Sequence, residues 1–309
     1  MKPRLVLVGL GHGQLEILEQ LDALRERYDV QYIGGRETIY TGAFPQVIAG
    51  EMESATTRLR QDVTPVAQRL VGLDPDARIV ETDRGQVGYD VLVLATGAKS
   101  RGIGTKLKPM TPHVIHEIRD SGAITIVGGG KAGVELAFAC IRDQRRVTLY
   151  ARRLLPELPR RVAQRMARRL VRSGVTLIMS PFQPGQEDGL VLDATGVVAD
   201  DWWSTAGLAE ATAFIETEDD LRHPVYRDIF VTGDMAARLN GGVDAVRSGR
   251  HVARLLLGTP RPFKARTSLN ILLTTPGRAL LTYGKWTWHG QLPYQLKRTI
   301  DRRYLARFN

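Results

Sequence analysis

The sequence predicts a doubly wound α/β fold made of two similar halves, and three observations predict it. Residues 5–16, LVLVGLGHGQLE, carry four apolar residues into a Gly-x-Gly turn and then into a helix-like stretch ending in Glu. Residues 127–137, VGGGKAGVELA, repeat that shape: a shift of 119 positions lays Gly9 on Gly128, Gly11 on Gly130 and Glu16 on Glu135. Two further apolar strands, in YDVLVLATGAKS (89–100) and DGLVLDATGVVAD (188–200), each end in Ala-Thr-Gly. A strand that feeds a glycine turn into a helix aims backbone N–H groups and the positive helix end at a pyrophosphate. Two such copies point to two Rossmann-like dinucleotide-binding units.

The 309 residues suffice for about two domains with their own cores. With 43% hydrophobic and 25% charged residues the composition is globular. No apolar run approaches the roughly 20 residues that span a bilayer. The start MKPRLVLVGL runs into turn chemistry rather than a cleavage site, so it reads as a first strand and a cytoplasmic location is expected. Cys140 is the single cysteine; it lies in ELAFAC on the apolar face of a helix, where a buried structural thiol is expected. The net charge of +10 is concentrated: Arg261 to Asn309 hold ten Lys and Arg against one acid, Asp301.

In such turns the first glycine makes the bend, the second lets the ligand approach, and the third lets the helix pack on the strand. The second unit has all three, Gly128, Gly130 and Gly133, whereas the first has Gln14 at the third place with Gly13 beside it. An acid at the end of the second strand would bind an adenosine ribose. DVQYIGGRET offers none and continues to Arg36, while RRVTLYARRLL ends in Arg152 and Arg153. Arginine there favours a ribose 2′-phosphate, hence NADPH over NADH; the other reading is a solvated basic surface continued by Arg160, Arg161, Arg165, Arg168, Arg169 and Arg172. Lys131 reads as a phosphate contact or a solvated side chain. RDIFVTGDMAA sets Gly233 and Asp234 after a short strand, where a carboxylate can accept hydrogen bonds from a polyol. GGVDAVRSGRHVARLLL then reads as a helix over Val243–Leu257. His12 is a proton donor beside a cofactor or a polar contact at a helix start. No catalytic acid or base and no metal set is assigned.

In this order the motifs resemble the pyridine nucleotide-disulfide oxidoreductase family, the two-dinucleotide-binding flavoproteins, over residues 1 to about 260. Within it the chain resembles the type II NADH dehydrogenase-like, quinone-reducing branch. It is most similar to flavoprotein modules fused to selenophosphate synthetase, through GxGHxxxE, IYTGAFPQVIAG (39–50), GVDAVRSG and a Trp-x-Trp before a basic helix. The resemblance implies an FAD domain, 1–106 and 197–260, interrupted by an NAD(P)H domain, 107–196, with KLKPMTPH (106–113) as the entering hinge and 261–309 as a basic C-terminal region. It implies an FAD pyrophosphate on Gly9, Gly11, His12 and Gly13, with Gln14 and Arg36 in the same site. Tyr40, Thr41, Gly42 and Pro45 would flank the isoalloxazine, and Ala95, Thr96 and Gly97 would touch FAD. Gly233 and Asp234 would face its ribityl chain, and Val243 would open a helix towards its pyrimidine end. NAD(P)H would lie on Gly128, Gly130 and Gly133, with Glu135 towards the nicotinamide, Arg152 and Arg153 at the ribose and Gly196 on the crossover. The implied activity passes hydride from nicotinamide C4 to flavin N5 and electrons onward, the protein supplying stacking and electrostatics.

Disulfide reduction and sulfide oxidation need a cysteine pair at the flavin. Cys140 is alone and in the other half, which leaves a quinone, another small organic acceptor, a protein redox partner or oxygen. The alternative is a flavin-based redox sensor or partner-binding flavoprotein with little turnover. In the tail, two strands are expected around Pro276-Gly277 and a helix from about Pro293, with Leu296, Ile300, Tyr304 and Phe308 on one face. Lys297, Arg298, Arg302, Arg303 and Arg307 make it basic. Beside Trp286 and Trp288, such a helix suits an anionic membrane surface, as a peripheral contact. Packing on the flavin domain, or on a second subunit as a homodimer, is the other reading. Nucleic-acid binding has no support beyond the charge.

Overall fold

The computed structural model describes residues 1–102, 112–142, 145–239, 241–259, 262–264 and 267–309. Strand β1 (Arg4–Val8) leads into α1 (His12–Leu18), α2 (Leu21–Arg27) and β2 (Asp29–Ile33). The antiparallel pair β3 (Glu37–Ile39) and β4 (Thr56–Arg58) brackets a tight turn at Thr41–Ala43 and the short helix α3 (Phe44–Ile48). A meander of β5 (Leu70–Asp74), β6 (Ile79–Thr82) and β7 (Gly85–Gly88) precedes β8 (Val91–Leu94) and β9 (Lys99–Ser100). The second half runs α4 (Pro112–Asp120), β10 (Ala123–Val127), α5 (Lys131–Cys140), β11 (Arg146–Tyr150), α6 (Arg160–Arg172), β12 (Val175–Ile178) and β13 (Leu190–Asp193). The chain then returns through β14 (Val197–Val198), α7 (Asp201–Thr205), β15 (Ile229–Val231) and α8 (Gly242–Leu256). Strands β16 (Asn270–Leu273), β17 (Ala279–Tyr283) and β18 (Trp286–Gly290) and helix α9 (Gln291–Ala306) complete it.

Two parallel four-stranded sheets carry the fold, ordered β15-β8-β1-β2 and β12-β11-β10-β13. Parallel sheets are covered by helices on both faces, which demands continuous apolar strands rather than alternating ones. That is why Leu5 to Val8 and all five residues of β10 are buried. The internal repeat is visible in the registers: Leu5 faces Val91 as Ile124 faces Leu190. One core forms around the first sheet, with Leu5, Leu7, Ile17, Tyr32 and Phe230; a second forms around the other, with Ile126, Val134, Phe138 and Leu149. Phe44 and Ile48 of α3 belong to the second core, so α3 of the first unit packs on α5 of the second. The crossover strands β9 and β14 pair antiparallel, Lys99 opposite Val198. Asp193 ties them: its carboxylate accepts from Thr195 N at 2.9 Å, Ser100 Oγ at 3.1 Å and Gly102 N at 3.1 Å.

Several expectations need correction. The tail forms a three-stranded antiparallel sheet, not two strands, because Trp286–Gly290 pairs with β17. Leu296 and Ile300 are 41% exposed while Tyr304 is buried, so the four-residue stripe is not one packed face. The packed face of α9 runs through Pro293, Tyr294, Asp301, Tyr304 and Leu305. Helix α8 starts at Gly242 and ends at Leu256, one residue earlier at each end than expected. The expected hinge at 106–113 lies, apart from its last two residues, outside the described residues. Among the described residues no helix is long and apolar enough to cross a membrane.

Candidate functional site

Gly9 sits at φ +89°, donates its N–H to Ile33 O at 2.9 Å, and would drive a Cβ to 2.6 Å from the Ala95 carbonyl oxygen. Gly11 is confined by the same carbonyl, to which it donates at 3.2 Å. These contacts lock the first turn against the end of β8. The close helix packing expected of the third glycine belongs to Gly13, not to position 14. A Cβ on Gly13 would stand 2.7 Å from Thr232 Oγ1, and one on Gly249 of α8 would collide with the Gly13 backbone. Gln14 is instead fully buried, with neither amide atom hydrogen-bonded.

His12 is the hub of this end of the fold. Its Nε2 and Thr41 Oγ1 lie 3.3 Å apart, and its ring meets Tyr40 and Tyr304 edge-on at 5.5 and 6.0 Å. Burial pushes its imidazole below the ordinary value, with the Asp234 and Glu16 carboxylates pulling the other way. Nδ1 is buried and has no partner. Asp234 Oδ1 accepts the Gly241 N–H at 2.9 Å and so fixes the loop before α8, where Val243 is 40% exposed. Gly233 N donates to Ser248 Oγ at 3.2 Å. Thr96 N and Oγ1 each reach Met235 Sδ at 3.3 Å; Thr96 is exposed and Gly97 half-buried. The structure thus gathers Gly9, Gly11, His12, Gly13, Thr41, Ala95, Thr96, Gly233, Asp234 and Val243 at one place. Arg36 follows the end of β2, whose Ile33 O accepts the Gly9 N–H, and donates to Val63 O at 3.2 Å.

The second turn is built alike. Gly128, at φ +128°, donates to Tyr150 O at 2.9 Å, and a Cβ there would collide with the Ala194 carbonyl. A Cβ on Gly133 would collide with the Gly128 carbonyl. Gly130 differs: its φ of −71° suits any residue, and nothing stands within 4 Å of where its Cβ would be. Protein packing does not explain that glycine, whereas a ligand pressed against the backbone does. The open space at Gly130, with Gly97 and Gly241 at positive φ beside equally open space and His12 Nδ1 unpartnered, fits dinucleotides on both turns. Arg152 and Arg153 are exposed just beyond β11, and Gly196 turns the crossover at φ +99°. Lys131 points elsewhere, to Glu157 at 2.6 Å and Asn270 Oδ1 at 3.3 Å.

Where α9 meets the 40–46 segment lies a polar cluster that sequence reasoning missed. Tyr40 donates to Asp301 Oδ1 at 3.0 Å, Gln46 donates to Asp301 Oδ2, and Lys297 reaches the same carboxylate at 3.3 Å. Lys297 also donates to Gly42 O at 2.7 Å. Pro45 is buried at the start of α3. Glu135 on α5 accepts the Leu273 N–H of β16 at 2.7 Å, and burial pushes its carboxyl up to about 7. A second missed group is Glu16, buried between Arg250 at 2.7 Å and Arg307 at 2.8 Å. One signal was available: Asp301 is the single acid in a tail with ten basic residues. Cys140 is buried as expected, and burial pushes its thiol up to about 12. Among the described residues no group of His, Cys, Asp and Glu is placed to hold a metal ion.

Comparison with known proteins follows the same outline. Residues 3–182, more than half of the chain, match the pyridine nucleotide-disulphide oxidoreductase family. The nitric oxide reductase FlRd-NAD(+) reductase of Shigella boydii is 29% identical over 251 residues, covering 67% of this chain and 63% of that protein. The chain therefore spans less than two thirds of that curated relative. The reduced CoADR-RHD of Bacillus anthracis superposes with a TM-score of 0.79 at 17% identity, over 92% of this chain and 62% of that one. The sulfide:quinone oxidoreductase of Aquifex aeolicus gives 0.77 at 15% identity, over 99% and 91%. At such identities the structural likeness speaks to fold alone.

Proposed function

The chain belongs to the pyridine nucleotide-disulphide oxidoreductase family, and on that premise we propose that it is an FAD-dependent NAD(P)H oxidoreductase serving a non-disulfide acceptor. The observation that carries this reading is the pair of strand–glycine-turn–helix units, one at Gly9 to Gly13 and one at Gly128 to Gly133, with Gly130 open to a ligand. FAD would be held by Gly9, Gly11, His12, Gly13, Thr41, Ala95, Thr96, Asp234 and the start of α8 at Val243. NAD(P)H would be held by Gly128, Gly130 and Gly133. Bound flavin supplies the two-electron chemistry between nucleotide and acceptor. The protein's own work is orientation: Ala95 O pins the first turn by accepting the Gly11 N–H, Ala194 O closes over Gly128 of the second, and Tyr40 with Lys297 fixes the segment that would flank the ring. The division into 1–106 with 197–260, 107–196 and 261–309 is part of this proposal.

Lone, buried Cys140 leaves no cysteine pair to relay electrons, so the acceptor is a quinone, another small oxidant or a carrier protein. The name of the Shigella relative points to a protein acceptor in that case. The exposed side chains Trp286, Trp288, Leu292, Leu296 and Ile300, close to Arg302 and Arg303, favour peripheral contact with an anionic membrane. Arg152 and Arg153 favour NADPH. The test is an anaerobic titration of the purified protein with NADPH and then NADH, followed in the visible spectrum. Yellow protein bleached by a nucleotide is expected, faster with NADPH; protein that binds no supplied FAD refutes the proposal.

A further inference from the structure

Helix α5 begins at the second glycine turn and runs for ten residues to Cys140. Two positions beyond, Arg142 reaches into the first unit. Its Nη1 donates to Ala49 O at 2.8 Å and its Nη2 to Glu51 Oε1. Ala49 caps the C-terminal end of α3, so its carbonyl is one of the acceptors that a helix leaves without an internal partner. The Arg142 and Glu51 side chains are 24% and 12% exposed, and Arg142 Nε is buried with no partner. An ion pair taken out of water and incompletely bonded adds little to stability, and apolar side chains of similar size would serve the fold as well. An apolar contact is already at hand: Phe44 and Ile48 of α3 share the second core with Phe138 of α5, and Phe138 lines one small cavity with Pro45, Ala49, Glu51 and Arg142. What a two-armed guanidinium adds is direction, because it admits one placement of α3 on α5.

Each of the two helices is tied to one proposed site. Gly128 and Gly130 lead into α5, and the turn Thr41–Ala43 leads into α3. Units joined by crossovers such as β9 and β14 shift against each other unless an interface holds them. We propose that Arg142 is a positioning residue: by pinning the end of α3 to the end of α5 it sets the spacing between the two dinucleotide sites before either ligand binds. The purpose rests on the oxidoreductase reading. The exchange NAD(P)H + H⁺ + FAD → NAD(P)⁺ + FADH₂, its proton drawn from solvent, needs donor and acceptor atoms in contact. A displacement of about 1 Å costs such a step about a hundredfold in rate. Arg142 stands a helix length from Gly130, about 15 Å along α5. Its loss should therefore alter the spacing and leave each binding site whole.

That split between spacing and binding separates a positioning role from a merely structural one. The full chain carries spin labels at Glu26→Cys on α2 and Gln164→Cys on α6, both exposed, while buried Cys140 stays unlabelled. Double electron–electron resonance then reads the distance between the units, with and without FAD. One narrow distance is expected in the presence of Arg142, and a broadened distribution in Arg142→Met. In the FAD-loaded protein, bleaching at saturating NAD(P)H should slow at least about tenfold in Arg142→Met. The nucleotide dissociation constant should stay within about twofold, because the change is remote from the turn. A distribution that stays narrow overturns the proposal, and so does a loss of affinity as large as the loss of rate. If Arg142→Met does not fold, Glu51→Ala decides: an unchanged distance distribution overturns it. Absence of a bound-flavin spectrum would refute the oxidoreductase reading instead, and the spin-label distances would still judge Arg142.

Discussion

Replacing Gly130 by alanine isolates ligand binding from folding. The residue precedes α5 at φ −71° and ψ −176°, a conformation open to alanine, and its Cβ would meet nothing within 4 Å. Alanine at such a position gains about 0.4–1 kcal/mol by restricting the unfolded chain. It loses a similar amount because glycine is the better residue at a helix N-cap. The two nearly cancel, leaving a net change within about 0.5 kcal/mol, or roughly 1–2 °C in thermal midpoint. The new methyl would nonetheless stand where a pyrophosphate is proposed to approach. NAD(P)H affinity should therefore fall at least about tenfold, which is about 1.4 kcal/mol. Gly133→Ala is the contrast: its Cβ collides with the Gly128 carbonyl, an overpacking worth about 1–3 kcal/mol. Thermal denaturation and quenching of tryptophan fluorescence by nucleotide measure both quantities on both variants. The reasoning is refuted if Gly130→Ala binds NAD(P)H as well as the unmodified protein, or loses as much stability as Gly133→Ala.

Glu135 should make stability depend on pH. An acid raised from 4.5 to about 7 on folding stabilises the fold fully below pH 4.5, and that contribution, at most about 3 kcal/mol, is lost as pH rises through 7. Glu135→Gln should flatten urea-unfolding stability across that window, and an unchanged slope would contradict it. Arg152→Ala with Arg153→Ala should weaken NADPH binding about tenfold and leave NADH unchanged; equal losses for both nucleotides would argue for a merely solvated pair. Cys140, with its thiol pushed up to about 12 and buried, should react with a thiol-specific reagent only after unfolding, and rapid labelling of the native protein would contradict that.

Both parallel sheets are legible in the sequence because their signals are local. Four apolar residues, a glycine turn and a helix lie within a dozen positions, and Gly9 and Gly128 announce their positive φ by being glycine. Ala95 and Ala194 are legible for the same reason, each at the end of an apolar run. The choice between Gly13 and Gln14 is not. It depends on how closely α8 approaches α1, and that is set by Gly249, more than 230 residues away. Asp301 is hidden in the same way: its bonds to Gln46 and Tyr40 span 255 and 261 positions.

The tail shows what periodicity and charge counting each miss. Spacing by four selects Leu296, Ile300, Tyr304 and Phe308, but an apolar stripe packs only where an apolar surface receives it. Helix α9 meets a mixed surface: Tyr304 stacks on the Tyr40 ring and Leu305 packs with Ala43, Val47 and Ala55, while the Tyr40 hydroxyl, Gln46 and the Gly42 carbonyl take Asp301 and Lys297 inward. Its charge divides into two populations with different work. Lys297 and Arg307 are used inside the fold, on Asp301, Glu16 and Glu19. Arg302 and Arg303 stay in solvent beside the exposed Ile300. Substituting the inner pair should therefore disturb the site, whereas substituting the outer pair should change only what the surface meets. A count of basic residues merges the two.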